Sequence, residues 1–501
     1  MTTFIKTVFS LMAAAALVLL SGIDARAQIG GVPLWTNFYN EAGTEVVEDL
    51  AVDRAGNIFV TGSSGVIGFQ DFATVKYSGT GMPLWTNRYR GPGSGYYLPR
   101  AIAVDSNGNA IVTGFSKGNG CATIKYSGGG VPLWTNHLNA SSTKDIAVDA
   151  NGNIFVTGGD GDFITVAYSN AGAPLWTNRY HGPGIGNDGA KAIAVDGSGN
   201  AIVTGASTGI SGSAGIATIK YAGGGVPLWT NRYESVYYSS ASAVVADGSG
   251  NVFISGGGGY GYCTLIKYSG AGAPLWTNVF PSIGGGVLAV DSSGNLYVAA
   301  TSPSIVSTNY DFLTRKYSGS GVALWSNRFN GPDDVDDYVF SLALDGSGNV
   351  FVHGQSIYSE AGEGYFLNFM TLGYSNGGVP LWTNVYANGW FTAAKAVAVD
   401  ANGNVVVAGD TLAFTSTDDF VIIKYSSAIL PRLAISRTNG NAVAVSWPSP
   451  SYGFNLQENT NVHQAFNWMN VSTPVQDDGL RKTLIANPAA GNRFYRLFYK
   501  P

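Results

Sequence analysis

Charge is scarce in this chain. Of its 501 residues only 12% are Asp, Glu, Lys or Arg, about half the fraction usual in soluble domains. The balance is −5 at neutral pH, which gives no electrostatic reason to bind a long polyanion and excludes nucleic acid as a partner. Cysteine is limited to Cys121 and Cys263, each five residues ahead of a repeated tyrosine (Tyr126 and Tyr268). The two thus hold one strand position in units three apart, and two buried free thiols are expected rather than a disulfide. The four histidines, His137, His181, His353 and His463, show no paired metal spacing and stand near no nucleophile motif. Aromatic residues at 12% and apolar residues at 45% exclude a disordered chain.

Long apolar runs are absent beyond the N-terminus. There Lys6 precedes an apolar run from Val8 to Leu20, and Ala25-Arg26-Ala27 has the small-x-small spacing of a cleavage site. Residues 1–27 are expected to be a removed signal peptide, with Gln28 as the new N-terminus. The run is too short for a membrane span, so the mature chain is expected to be secreted, periplasmic or cell-surface, with no transmembrane segment.

Glycine is abundant, 69 residues, and much of it falls in a repeat. The stretch from Lys191 to Tyr233, KAIAVDGSGNAIVTG, an insert, then ATIKYAGGGVPLWTNRY, recurs eight times. Its short β-branched runs flank two turns: Asp-x-x-Gly-Asn, whose Asp can cap turn N–H groups, and a Gly-rich turn with Pro opening the next strand. Each unit therefore reads as four strands. From the turn Asp to the end of the second strand is nine positions in every unit, 53 to 62 through 400 to 409, and from Tyr to Trp is eight, 77 to 85 through 374 to 382. The other two connections vary, from 10 (158 to 168) to 20 (354 to 374) and from 15 (134 to 149) to 20 (85 to 105). Alternate connections of an up-and-down sheet share an edge, so the fixed turns share one face and the variable loops the other. The pattern predicts a β-propeller. The eighth Tyr strand, Val421 to Tyr425, has no Trp strand after it, whereas Pro33 to Tyr39 has no Asp turn before it. Pairing the two closes an all-β ring of eight blades over 28–427.

Residues 428–501 break the repeat. Alternating stretches at Leu433 to Arg437, Ala442 to Trp447, Phe454 to Gln457, Trp468 to Val471 and Phe494 to Phe498 predict a small β-sandwich of about six strands.

Units such as DFATVKYSGTGMPLWTNRYRGPGSG followed by AIAVDSNGNAIVTG resemble the bacterial SBBP-type β-propeller repeat family. The AVD-x-x-GN-x-x-V portion is also similar to NHL repeats and the Leu-Trp strand to quinoprotein-type repeats. The resemblance covers residues 31 to 427 and implies a fold; propellers host binding modules and enzymes alike. The vicinal cysteine pair of many quinoprotein dehydrogenases is absent here. The tail is similar to short C-terminal modules of exported bacterial proteins.

The repeat Asp residues are expected to hold their own turns, and the repeat Trp residues to pack between blades. The repeat Lys (Lys76, Lys125, Lys220, Lys267, Lys316, Lys424) and Arg (Arg88, Arg179, Arg232, Arg328) read as edge-strand charges that discourage aggregation. The functional signal is uneven loop composition on the variable face. Loops 331–338, 355–366, 387–391 and 410–420 hold nine acids and no Lys, Arg or His. Asp333, Asp334, Asp336, Glu360 and Glu363, with Tyr358, Trp390 and Phe391, form the candidate ligand site, suited to a protein or carbohydrate ligand with or without Ca²⁺. No other cofactor and no catalytic residue is expected, and the chain reads as a monomer. The alternatives are a polysaccharide hydrolase or lyase using two carboxylates such as Asp334 and Glu360, and a purely structural envelope protein.

Overall fold

The computed structural model describes residues 31–499 apart from 42, 67, 92–94, 235–238, 259–260, 332–333, 361–363, 388–390, 413–417, 427–432, 439–441, 449–453, 461–467, 479–480 and 487–492. The expected signal peptide lies outside the described residues. Within them every regular element is a strand. Gly31–Ser427 forms one compact unit, and residues from Ala428 onward belong to another.

The first blade sets the pattern. An inner strand, β2 (Thr44–Val52), turns into β3 (Ile58–Gly65), then β4 (Asp71–Tyr77) and an outer β5 (Pro83–Tyr89), all antiparallel. The Asp-x-x-Gly-Asn turn forms because Asp53 Oδ1 accepts the N–H groups of Ala55 and Asn57 at 3.0 and 2.8 Å, while Gly56 takes φ +79°. Six blades of the ring are separate four-stranded sheets; the last two share one sheet through a single parallel bridge, Leu367 to Phe391. The eighth blade takes its outer strand from the other end of the chain. β1 (Val32–Tyr39) pairs antiparallel with Asp418–Ser426, Thr36 opposite Ile423 and Trp35 opposite Lys424. The ring is an eight-bladed propeller closed as the repeat count predicts.

The apolar core lies in the seams between blades. Eight clusters each draw on two consecutive blades, and the one containing Leu50, Val60, Val406 and Ile422 joins the eighth to the first. Along each seam the Leu-Trp-Thr-Asn stretch, Leu-Trp-Ser-Asn in the sixth blade, latches onto the Gly-rich turn of the next blade. All eight repeat Asn side chains donate to a turn carbonyl there, at 2.5 to 2.9 Å. Seven Trp Nε1 groups donate to a second carbonyl at 2.9 to 3.3 Å. The indole also lies against the turn's glycine so closely that a Cβ on Gly225 would sit 2.6 Å from Trp176. The eighth indole, Trp382, is buried and its Nε1 has no acceptor among the described residues. Its partner turn is the one place where the chain is interrupted: Gly31 N–H bonds Ser426 O at 2.8 Å where a covalent turn would run.

The repeat lysines do not sit on edges. They lie on the third strand with side chains almost fully buried, each beside the turn Asp of its own blade: Lys125 to Asp105 and Lys220 to Asp196 at 2.8 Å, Lys424 to Asp400 at 2.7 Å. Each reaches on to the turn of the next blade, as Lys76 does to Gly128 O at 2.8 Å. Burial raises the carboxyls of Asp105, Asp196 and Asp400, but hydrogen bonds from the lysine and from the turn Asn outweigh it and leave them below the ordinary range. The repeat arginines brace the variable loops instead, as Arg328 does by donating to Pro303 O at 2.8 Å and Asp311 at 2.9 Å. Cys121 and Cys263 are buried free thiols.

The described residues of the C-terminal unit form seven strands in a four-stranded and a three-stranded sheet. Val445, Trp447 and Leu484 from one pack on Leu456 from the other. Arg481–Ala486 was not legible as a strand because Leu484 is its one fully buried side chain.

Two expectations follow. Lys125→Met strands Asp105 without its cation and should lower the unfolding free energy by about 3–5 kcal/mol, measured by denaturant titration; a loss below about 1 kcal/mol would refute the role given to the pair. Trp176→Phe should cost about 1 kcal/mol more than Trp382→Phe, the share of a hydrogen bond that Trp382 does not make. Equal costs would contradict the seam geometry.

Candidate functional site

The variable face carries the second-to-third-strand hairpins and the crossovers between blades. In seven blades those hairpin strands are six to nine residues long, but in the seventh both Val350–Glu360 and Gly364–Tyr374 run to eleven. The extra pairs from Ile357 opposite Leu367 to Glu360 opposite Gly364 carry this hairpin outward past its neighbours. Tyr358 stacks on Phe366 along it, ring centroids 5.0 Å apart. Its base is held to the eighth blade, where Thr392 Oγ1 donates to Leu367 O at 2.7 Å.

Asp334 and Asp336 lie in the crossover from the sixth to the seventh blade, and both are engaged within their surroundings. Asp334, at φ +49°, accepts from Ser307 Oγ at 3.0 Å and Asn330 Nδ2 at 2.8 Å. Asp336 accepts from Tyr310 N at 3.1 Å and Tyr338 Oη at 3.1 Å, fixing two tyrosines whose centroids are 6.3 Å apart. Asp333, Glu363 and Trp390 lie outside the described residues, and for Glu360 and Phe391 only the backbone is described.

Two further acids of these loops are seam residues. Asp337 is fully buried and accepts the Gly331 N–H at 2.6 Å, as Asp188 accepts that of Gly182 at 2.6 Å three blades earlier. Burial raises its carboxyl to about 6. Asp410 accepts the Val47 N–H of the first blade and lies 3.8 Å from Lys395; burial raises it to about 7. Side chains so occupied are spacers that set the loops, not free ligand groups.

His353 is a core residue. Its Nδ1 lies 3.1 Å from Thr371 Oγ1, Phe369 stands edge-on at 5.3 Å, and burial lowers its pKa to about 3, so the ring is neutral. The structure does gather Asp162, His181 and Asp188, with donor atoms within 4.8 Å of one another, which spacing along the chain did not reveal. The signal was positional: Arg90 fills the place of His181 in the first blade and pairs with Asp71 at 2.8 Å. His181 likewise bonds Asp162 at 2.8 Å, a hydrogen bond that raises its pKa. Both Asp188 oxygens already accept backbone N–H groups, from Gly182 at 2.6 Å and Thr208 at 2.7 Å, so the trio is an ion-pair brace. No helix among the described residues is long and apolar enough to cross a membrane.

No family model matches the chain, and no curated protein matches it. Among solved structures it is similar to the Dos1 propeller, at 8% identity over 80% of this chain and 95% of that one, with a TM-score of 0.55. It is also similar to Chaetomium thermophilum Sqt1 bound to the N-terminus of the ribosomal protein L10, at 10% identity over 78% and 98% of the two chains, TM-score 0.53. The C-terminal WD40 domain of Sif2 matches at 10% identity over 77% and 98%, TM-score 0.50. At such identities the likeness is one of fold: residues 31–427 are a β-propeller.

Proposed function

We propose that this chain is an exported binding scaffold of the SBBP-type repeat class. Its variable-loop face over the sixth to eighth blades recognises a protein partner. The observation that carries the reading is the asymmetry of an otherwise regular ring: one hairpin of eleven-residue strands projects from that face beside loops rich in acid and aromatic side chains. Regular blades supply a rigid base, and recognition in such rings falls to loops that differ from blade to blade. Asp334 and Asp336 act by presenting Tyr310 and Tyr338 in fixed positions, and aromatic side chains held in place lose little entropy on contact. The Sqt1 structure, a propeller bound to a peptide segment, supports the class of partner. The enzymatic reading has no second carboxylate placed beside Asp334 among the described residues, and Asp334 Oδ1 accepts from both Ser307 and Asn330 and so holds the crossover.

Export is tested by the mass of the chain recovered from its host, which should begin at Gln28; an intact N-terminus in the cytoplasm would refute it. Recognition is tested by a photo-crosslinker placed at Tyr358 or, as control, at Ser198 on the fixed-turn face. One discrete adduct at Tyr358 and none at Ser198 is the expected result. Adducts equal at both positions would place recognition elsewhere.

A further inference from the structure

Each inner strand but one carries a register shift at the same point, five residues before the turn Asp: Glu48, Arg100, Lys144, Lys191, Ser242, Phe340 and Lys395 are the bulged residues, and Gly286 holds the position in the sixth blade. A bulge leaves its extra residue unpaired and re-aims its side chain. On an innermost strand, whose far edge carries no further pairing among the described residues apart from the one bridge at Phe391, that side chain projects from the free edge toward the axis of the ring. Consecutive inner strands contact one another all the way round, so these positions form one belt on the channel wall.

The belt is lopsided. Ser242, Gly286 and Phe340 make a neutral arc on the fifth to seventh blades, while Arg100, Lys144 and Lys191 stand side by side on the second to fourth. Glu48 reaches one cation, 3.1 Å from Arg100, and Lys395 lies 3.8 Å from Asp410. Lys144 and Lys191 are exposed, and neither has a carboxylate within ion-pair distance among the described residues. The neighbouring carboxylates Asp49 and Asp145 are turned to other work, accepting the N–H groups of Ile102 and Ile193 across the next seam at 2.9 Å. Partial desolvation by the surrounding wall first, and then the charges of Lys191 and Arg100, hold the Lys144 ammonium below its ordinary range, so the cations feel one another.

A chain with so few charges that sets three adjacent cations on one channel wall, two of them unpaired, has the makings of an anion seat. We propose that Arg100, Lys144 and Lys191 form a binding site within the channel for a compact multivalent oxyanion, one bearing two or more adjacent phosphate or carboxylate groups. Arg100 offers a planar fork and the two lysines point charges, a set suited to oxygens spread over a few ångströms. Glu48 competes for Arg100 and offsets the repulsion among the three cations.

The test is titration calorimetry of the full chain with inorganic pyrophosphate and, separately, citrate, at constant low ionic strength. Saturable binding of one or both at one site per chain is expected, and the better of the two assigns phosphate or carboxylate. Lys144→Gln/Lys191→Gln should weaken it at least ~10-fold and Glu48→Gln should strengthen it several-fold, since each changes the charge facing the ligand. Thermal melts of each variant without ligand check the fold, and Glu48→Gln alone decides the matter if the double variant does not fold. Absence of binding to the wild type, unchanged affinity in a folded double variant, or unchanged affinity in Glu48→Gln would overturn the proposal.

Discussion

Everything in the ring depends on pairing its two chain ends. β1 against Asp418–Ser426 covers the open edge of the eighth blade, and with it the seam cluster of Leu50, Val60, Val406 and Ile422 becomes continuous with the other seven. Without that pairing the first blade loses its neighbour on one side and the last presents unpaired backbone groups to water. The ring is a repeat array whose cap is itself.

Closely similar seams are what make a closed ring possible, since a rotation repeated eight times must return to its start. The Trp and Asn latch, with the tyrosine of the next blade 5.6 to 6.4 Å from each indole, sets that rotation. The buried lysine ties two fixed turns at once, one by charge and one by hydrogen bond. In the third and seventh blades Ala167 and Gly373 replace it, and Asn170 and Asn376 stand in the Gly-rich turn, packed against Gly152 and Gly348. With one face so constrained, divergence is confined to the other, where the eleven-residue hairpin rises.

The blade count, the closing strand and the division into two faces were legible because turn lengths are invariant and a missing strand at one end matches a surplus at the other. The lysines were misread because local pattern shows only that a cation follows an apolar residue; its partners come from a turn of its own blade and a turn of the next. The bulge was hidden for a related reason. The residue five before each Asp varies from Glu48 to Phe340, and nothing in the order of residues says that it leaves the sheet. Of the candidate site, the uneven loops were visible, but not that Asp334, Asp336, Asp337 and Asp410 serve as struts, since their partners lie up to 363 residues away.

The recognition face and the channel seat both presuppose the closed ring, because opening it would separate the loops and break the arc. Amide hydrogen exchange read by mass spectrometry over residues 32–39 and 420–426 tests closure directly. The account predicts that both segments exchange slowly, together, and at the rate of interior strands such as Ala201–Thr208. Rapid exchange of 32–39 beside lasting protection of 420–426 would mean that the N-terminal strand does not complete the eighth blade, and would contradict it.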